Sequence, residues 1–134
     1  MKRRQLALWV VATAWLPHAS RADSSALARA MARARDLRDQ AQRGGDQPYG
    51  AVVLRGDAIV GEGPSRVVVN GDPTAHAEME AIRDAAQRLG TRDLSGCVLV
   101  STSRPCRMCE AAAGWARIGR MVHGDALTDA GRPT

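Results

Sequence analysis

Between Gly96 and Ser101 the chain reads Cys97-Val98-Leu99-Val100, four apolar residues in a row with no polar position to turn towards water. A strand of this kind is buried on both faces and has to be covered by packed layers. The flanking sequence offers the cover. Ser24 or Ser25 can cap a helix running to about Gln42, with Leu27, Ala30, Met31, Ala34, Leu37 and Ala41 on one stripe at helical spacing. Its other side carries Arg29, Arg33, Arg35, Asp36, Arg38 and Asp39, a solvated face of mixed charge. Ala51–Leu54 and Ala58–Val60, joined around Gly56-Asp57, read as a β-hairpin, and Gly61 to Gly71 reads as a loop. Asp72-Pro73-Thr74 reads as the start of a second helix, with Met79, Ile82, Ala86 and Leu89 as its apolar stripe and Gly90 as its stop. A third helix is expected from about Cys106 to Ile118, closed by Gly119, followed by a last short strand at Met121-Val122-His123. The order α-ββ-α-β-α-β is that of an α/β sandwich on a mixed sheet.

The N-terminal 22 residues read differently. Lys2-Arg3-Arg4 is a positive head, Leu6 to Leu16 is an uncharged apolar run, and Ser20 and Ala22 are small residues at the positions a signal peptidase reads. The run is too short for a bilayer, which takes roughly 20 residues. Residues 1–22 are therefore expected to be a signal peptide, with a single domain at 23–134 exported to the periplasm or beyond. Arg3-Arg4 also resembles a twin-arginine signal. The alternatives are a mis-assigned start, which would make the protein cytoplasmic, and an uncleaved N-terminal anchor. The leader also accounts for the charge. It holds four of the 19 basic residues and none of the 14 acidic ones, so the remainder is near neutral at +1 although the whole chain carries +5. Tyr49 and Trp115 are the remainder's only aromatics. A general nucleic-acid binder needs a positive track with stacking aromatics, so nucleic acid is not an expected partner.

Two segments carry chemistry: His76-Ala77-Glu78 and Pro105-Cys106-Arg107-Met108-Cys109. Cys106 and Cys109 are three apart, so on a helix both thiols face one side. A helix start favours thiolates, the metal-binding form. With His76 they make three N/S ligands for a tetrahedral ion, and three protein ligands rather than four mark a catalytic zinc. Spacing alone would choose Glu80 as the carboxylate beside His76, since residues four apart share a helix face. The Cys-x-x-Cys pair taken alone also fits a dithiol oxidoreductase, a serious rival in an exported protein.

His76-Ala77-Glu78 paired with Pro105-Cys106-Arg107-Met108-Cys109 resembles the zinc-dependent cytidine deaminase-like superfamily. The likeness is to its guanine deaminase and tRNA adenosine deaminase branch, extended by Gln47–Val52, Gly61–Gly63 and Trp115–Arg120. The resemblance implies a three-layer α/β/α sandwich, here lacking the last strand and helix of longer members. It implies one zinc ion (Zn2+) per chain held by His76, Cys106 and Cys109, with Glu78 as the catalytic proton shuttle. The implied reaction is hydrolytic deamination of a free nucleobase or nucleoside, a purine such as guanine favoured, with loss of ammonia. Cytosine, adenine or tRNA adenosine are the alternatives, as is a catalytically silent zinc-binding relative. A homodimer is expected from family habit. Ser65, Trp115, Tyr49 and Asn70 are the candidate substrate contacts. Two positions depart from the family pattern: Ser65 stands where an Asn usually binds the base, and Arg104 stands where a Glu usually precedes the proline.

Overall fold

The computed structural model describes residues 24–134; the leader read in residues 1–22 lies outside them. The apolar run forms β3 (Cys97–Ser101), buried along its whole length at the centre of a five-stranded sheet. Its neighbours are β1 (Gly50–Arg55), antiparallel, and β4 (Arg120–His123), parallel, so the sheet is mixed. The edges are β2 (Ala58–Pro64), paired to β1, and β5 (Thr128–Gly131), paired to β4, both antiparallel. The order is β2-β1-β3-β4-β5.

Alternation along the strands sorts the core into two halves. Val52, Leu54, Val98, Val100 and Val122 pack against α1 (Ser24–Arg43), whose buried stripe is the expected one with Ala26 added. Ala51, Val53, Cys97, Leu99 and Met121 point the other way, onto α2 (Ala77–Leu89) and α3 (Arg107–Trp115). The result is a three-layer sandwich with the sheet in the middle.

Four boundaries differ from the sequence reading. Gly61 and Gly63 lie inside β2 rather than opening a loop. They are there for packing: a Cβ on Gly63 would sit 2.2 Å from the Ala77 carbonyl oxygen, and one on Gly61 2.5 Å from that of Ala81. The bare strand lets α2 lie directly on it, so α2 buries its small residues Ala77, Ala81 and Ala85. Of the stripe read from larger residues, Ile82 and Leu89 flank that contact half-buried, and Met79 and Ala86 are also only half-buried. Helix α2 also starts later than expected. The Asp72 carboxylate accepts from the Thr74 amide at 2.8 Å and its hydroxyl at 2.7 Å, closing a local turn before an extended His76 begins the helix. Helix α3 ends at Trp115, because Arg117 adopts a left-handed conformation (φ 63°) ahead of Gly119. Finally, the sheet has a fifth strand, β5, where the sequence predicts none. Its sequence Thr-Asp-Ala-Gly is short and mostly exposed, so no apolar alternation announces it.

Candidate metal centre

Both chemical segments sit at helix starts on the same side of the sheet. His76 precedes α2 and Cys106 precedes α3, each extended (ψ 152° and 172°) and neither capping its own helix with its side chain. The close packing of α2 on β2, and the entry of α3 directly from β3, bring the two N-termini together. His76 Nδ1 lies 3.7 Å from Cys106 Sγ and 3.6 Å from Cys109 Sγ, and the three donor atoms all fall within 4.8 Å of one another. Zinc binds sulfur at about 2.3 Å and nitrogen at about 2.0–2.1 Å, which for tetrahedral angles puts N and S about 3.6 Å apart. The three donors are therefore spaced as ligands of one such ion. A dithiol couple has no use for an imidazole nitrogen equidistant from both sulfurs.

The helix start does not by itself make Cys109 a thiolate, contrary to the sequence expectation. Cys109 is fully buried, and burial pushes its thiol well above the ordinary range, with the neighbouring Glu78 and Cys106 adding to the rise. A buried thiol so placed ionises only against a cation. The two helix N-termini contribute free amides and the positive ends of their dipoles. Cys97, the remaining cysteine among the described residues, is buried in β3 and takes no part in the donor cluster.

Glu78 occupies the first turn of α2 and is only 6% exposed. Its Oε2 accepts from Cys109 Sγ at 3.6 Å, so the carboxylate stands beside the donor cluster without belonging to it. Burial raises its pKa; its own amide, Cys109 and His76 offset part of the rise. Glu80, the carboxylate that spacing alone favours, turns away. It pairs with Arg83 at 2.8 Å and Arg66 at 3.9 Å and lines a separate charged groove between α1 and α2.

A cavity of about 430 Å³ opens over this cluster, within the usual range for small-molecule sites. His76, Ala77, Glu78 and Cys106 line it from the helix starts, Gln47, Pro48 and Tyr49 from the loop entering β1, and Ser103 and Arg104 from the loop after β3. Of the four substrate contacts expected from sequence, Tyr49 lies on this lining. Ser65, Asn70 and Trp115 do not. Ser65 is buried and its hydroxyl donates to Asp46 Oδ1 at 2.8 Å; Asn70 is exposed, its amide donating to the Arg66 carbonyl; Trp115 is 89% exposed on the last turn of α3. Sequence reasoning left out Gln47 and Ser103 as lining residues and passed over Asp46. Asp46 had one visible signal, a lone acid in the glycine-rich turn just before the Gln47-Pro48-Tyr49 segment.

Residues 24–125 match the family described as the cytidine and deoxycytidylate deaminase zinc-binding region. Over 103 residues the chain is 50% identical to a tRNA(Ile)-lysidine synthase of Deinococcus radiodurans, covering 76% of the chain and 18% of that protein. It is 43% identical over 83 residues to guanine deaminase of Bacillus subtilis, covering 62% of the chain and 53% of the relative. A tRNA-specific adenosine deaminase of Aquifex aeolicus is 41% identical over 78 residues, 58% of the chain and 52% of the relative. The solved structure of the Bacillus subtilis guanine deaminase superposes with a TM-score of 0.69 at 38% identity, over 72% of this chain and 62% of that one. The chain thus spans about half the length of the curated deaminases it matches.

Proposed function

The chain belongs to the cytidine and deoxycytidylate deaminase zinc-binding family, and we propose that it hydrolytically deaminates a small nucleobase or nucleoside, with a purine such as guanine favoured. The observation that carries this is the pairing of a zinc-spaced His76/Cys106/Cys109 triangle with a buried carboxylate, Glu78, on one cavity wall. Similarity to guanine deaminase supports the purine preference. A single exposed cation on the cavity lining, in place of a basic track, favours a small molecule over tRNA.

Zinc held by the three donors supplies Lewis acidity that makes water nucleophilic at neutral pH. The protein's own part falls to Glu78. Its carboxylate takes one proton from the attacking water as the C–O bond forms, gives it to the ring nitrogen beside the attacked carbon, and then moves the remaining proton of the added hydroxyl to the exocyclic amine. The C–N bond breaks, a C=O replaces it, and ammonia leaves. Its position suits Glu78 to this work, since the buried carboxylate stands beside Cys109 on the cavity lining, within reach of a ring held there. Gln47, Tyr49 and Ser103 offer polar groups to orient the ring. A homodimer and export directed by residues 1–22 complete the reading; gel filtration and cell fractionation test them.

The direct test is ammonia release from zinc-loaded protein offered guanine, adenine, cytosine, their nucleosides and their nucleotides. Turnover of at least one supports the proposal. No ammonia from any of them, with zinc stoichiometric, overturns it.

A further inference from the structure

Arg104 is exposed at the cavity mouth and makes no hydrogen bond or ion pair with any described residue. The arginines of the groove between α1 and α2 are different: Arg33 pairs with Glu62, Arg83 with Glu80 and Arg88 with Asp84. That groove is a self-neutralised surface, whereas Arg104 holds a guanidinium in reserve beside a concave site. The ionisable groups sharing its cavity do not neutralise it. His76 and Cys106 are committed to the donor triangle, and Glu78 is buried at the floor. The free amides at the starts of α2 and α3 add to the positive potential at the site. Ser65 cannot serve as a neutral recognition group there, because its hydroxyl is donated to Asp46 away from the lining. What the cavity offers is a proton-handling floor, a neutral polar wall and one unpaired planar cation at the rim.

We propose that the molecule deaminated here carries an anionic oxygen group, phosphate or carboxylate, outside the reacting ring, and that Arg104 selects it. This rests on the deaminase reading and moves its substrate from a neutral base or nucleoside to one that carries an anionic substituent. A guanidinium meets either anion with two parallel hydrogen bonds. One such group accommodates a single anion on a small molecule.

The test compares ammonia release by the zinc-loaded full chain from a base, its nucleoside, its nucleoside 5′-monophosphate and a carboxylate-bearing analogue of the base. We expect kcat/KM for one anionic compound to exceed that of its neutral parent by about tenfold or more, equivalent to about 1.4 kcal/mol. The preferred anion tells phosphate from carboxylate. Arg104→Glu should collapse that ratio through KM, and Arg104→Lys should restore part of it. Arg92→Glu, the same charge change at an exposed arginine off the cavity lining, should leave the ratio where it was. A ratio near one, or one that Arg104→Glu does not move, overturns the inference while leaving the deaminase reading intact. If no compound yields ammonia, calorimetric titration with the monophosphate and with inorganic phosphate decides. Binding lost in Arg104→Glu supports the anion site although the deaminase reading has failed; binding absent or insensitive to Arg104 overturns the site as well.

Discussion

Replacing Asp46 by its near-isostere Asn should destabilise the protein more than removing its partner hydroxyl at Ser65. Oδ1 of Asp46 accepts from the Ser65 hydroxyl and the Gln47 amide, both at 2.8 Å; Oδ2 accepts from the amides of Val68 at 3.0 Å and Val69 at 2.8 Å. Flipped one way, an Asn NH2 group faces the Val68 and Val69 amides; flipped the other, it faces the Gln47 amide while the Ser65 hydroxyl turns to accept from it, so at least one backbone donor loses its acceptor and the remaining bonds lose a charged partner. Hydrogen bonds to a charged group contribute about 1.5–3 kcal/mol each, and bonds in one network do not add fully. Asp46 is only 8% exposed but lines a surface pocket with Ser65 and Val69, so water can reach a vacated donor and the lower end applies. The expected cost is about 1.5–3 kcal/mol for Asp46→Asn, against about 1 kcal/mol for Ser65→Ala, which leaves three of the four bonds. The pH dependence has a definite sign. Burial alone would raise the Asp46 pKa, but the bonds from Val69, Ser65, Gln47 and Val68 outweigh it and hold the carboxyl below its ordinary value. The stabilisation is therefore complete above the unfolded carboxylate pKa of about 3.9 and is lost as pH falls through the lower folded value. Urea unfolding of wild type and Asp46→Asn should show the full gap at neutral pH and a shrinking one below about pH 4. The metal ligands protonate in both proteins and cancel in the difference. An Asn variant within about 0.5 kcal/mol of wild type at neutral pH, or a gap that pH does not change, would refute this reasoning.

Glu78→Gln should keep zinc and lose roughly 10²–10⁴-fold in kcat, the span attributed to a positioned proton-transfer group, whereas Glu80→Gln should be mild because Glu80 faces the other groove. Metal content and turnover measured side by side test the pair, and the reverse ranking would reassign the proton shuttle. Gly63→Ala should cost about 1–3 kcal/mol or prevent folding, since its methyl meets the Ala77 carbonyl oxygen and Ala81 amide nitrogen, and lifting α2 would also shift His76 and Glu78. A thermal melt and zinc titration of that variant check both consequences, and a wild-type melt would show that the strand–helix contact is looser than described.

The sandwich was legible where side chains carry a period. The Cys97–Val100 run and the α1 stripe reappear as the central strand and the covering helix because burial and periodicity report the same physics there. The misreadings share another origin. Gly61 and Gly63 look like loop residues until a helix is laid on them, and the alanines of α2 carry too little hydrophobicity to mark the face that those glycines admit. The donor triangle was legible because its chemistry is confined to three side chains at two helix starts. The choice between Glu78 and Glu80 was not, since an ideal helix beginning at Asp72 places His76 within its first turns, whereas here His76 precedes the helix in extended conformation. The bond between Asp46 and Ser65, which takes Ser65 away from the substrate-contact role expected of it, was not legible because it joins two separate segments with no periodic signal.

X-ray absorption at the zinc edge tests the central claim most directly. The account predicts a first shell of two sulfurs at about 2.3 Å with a nitrogen and a further light atom at about 2.0–2.1 Å, reduced to one sulfur in Cys109→Ser where zinc is retained. A shell without sulfur, or zinc-free protein with Cys106 and Cys109 joined as a disulfide, would contradict it.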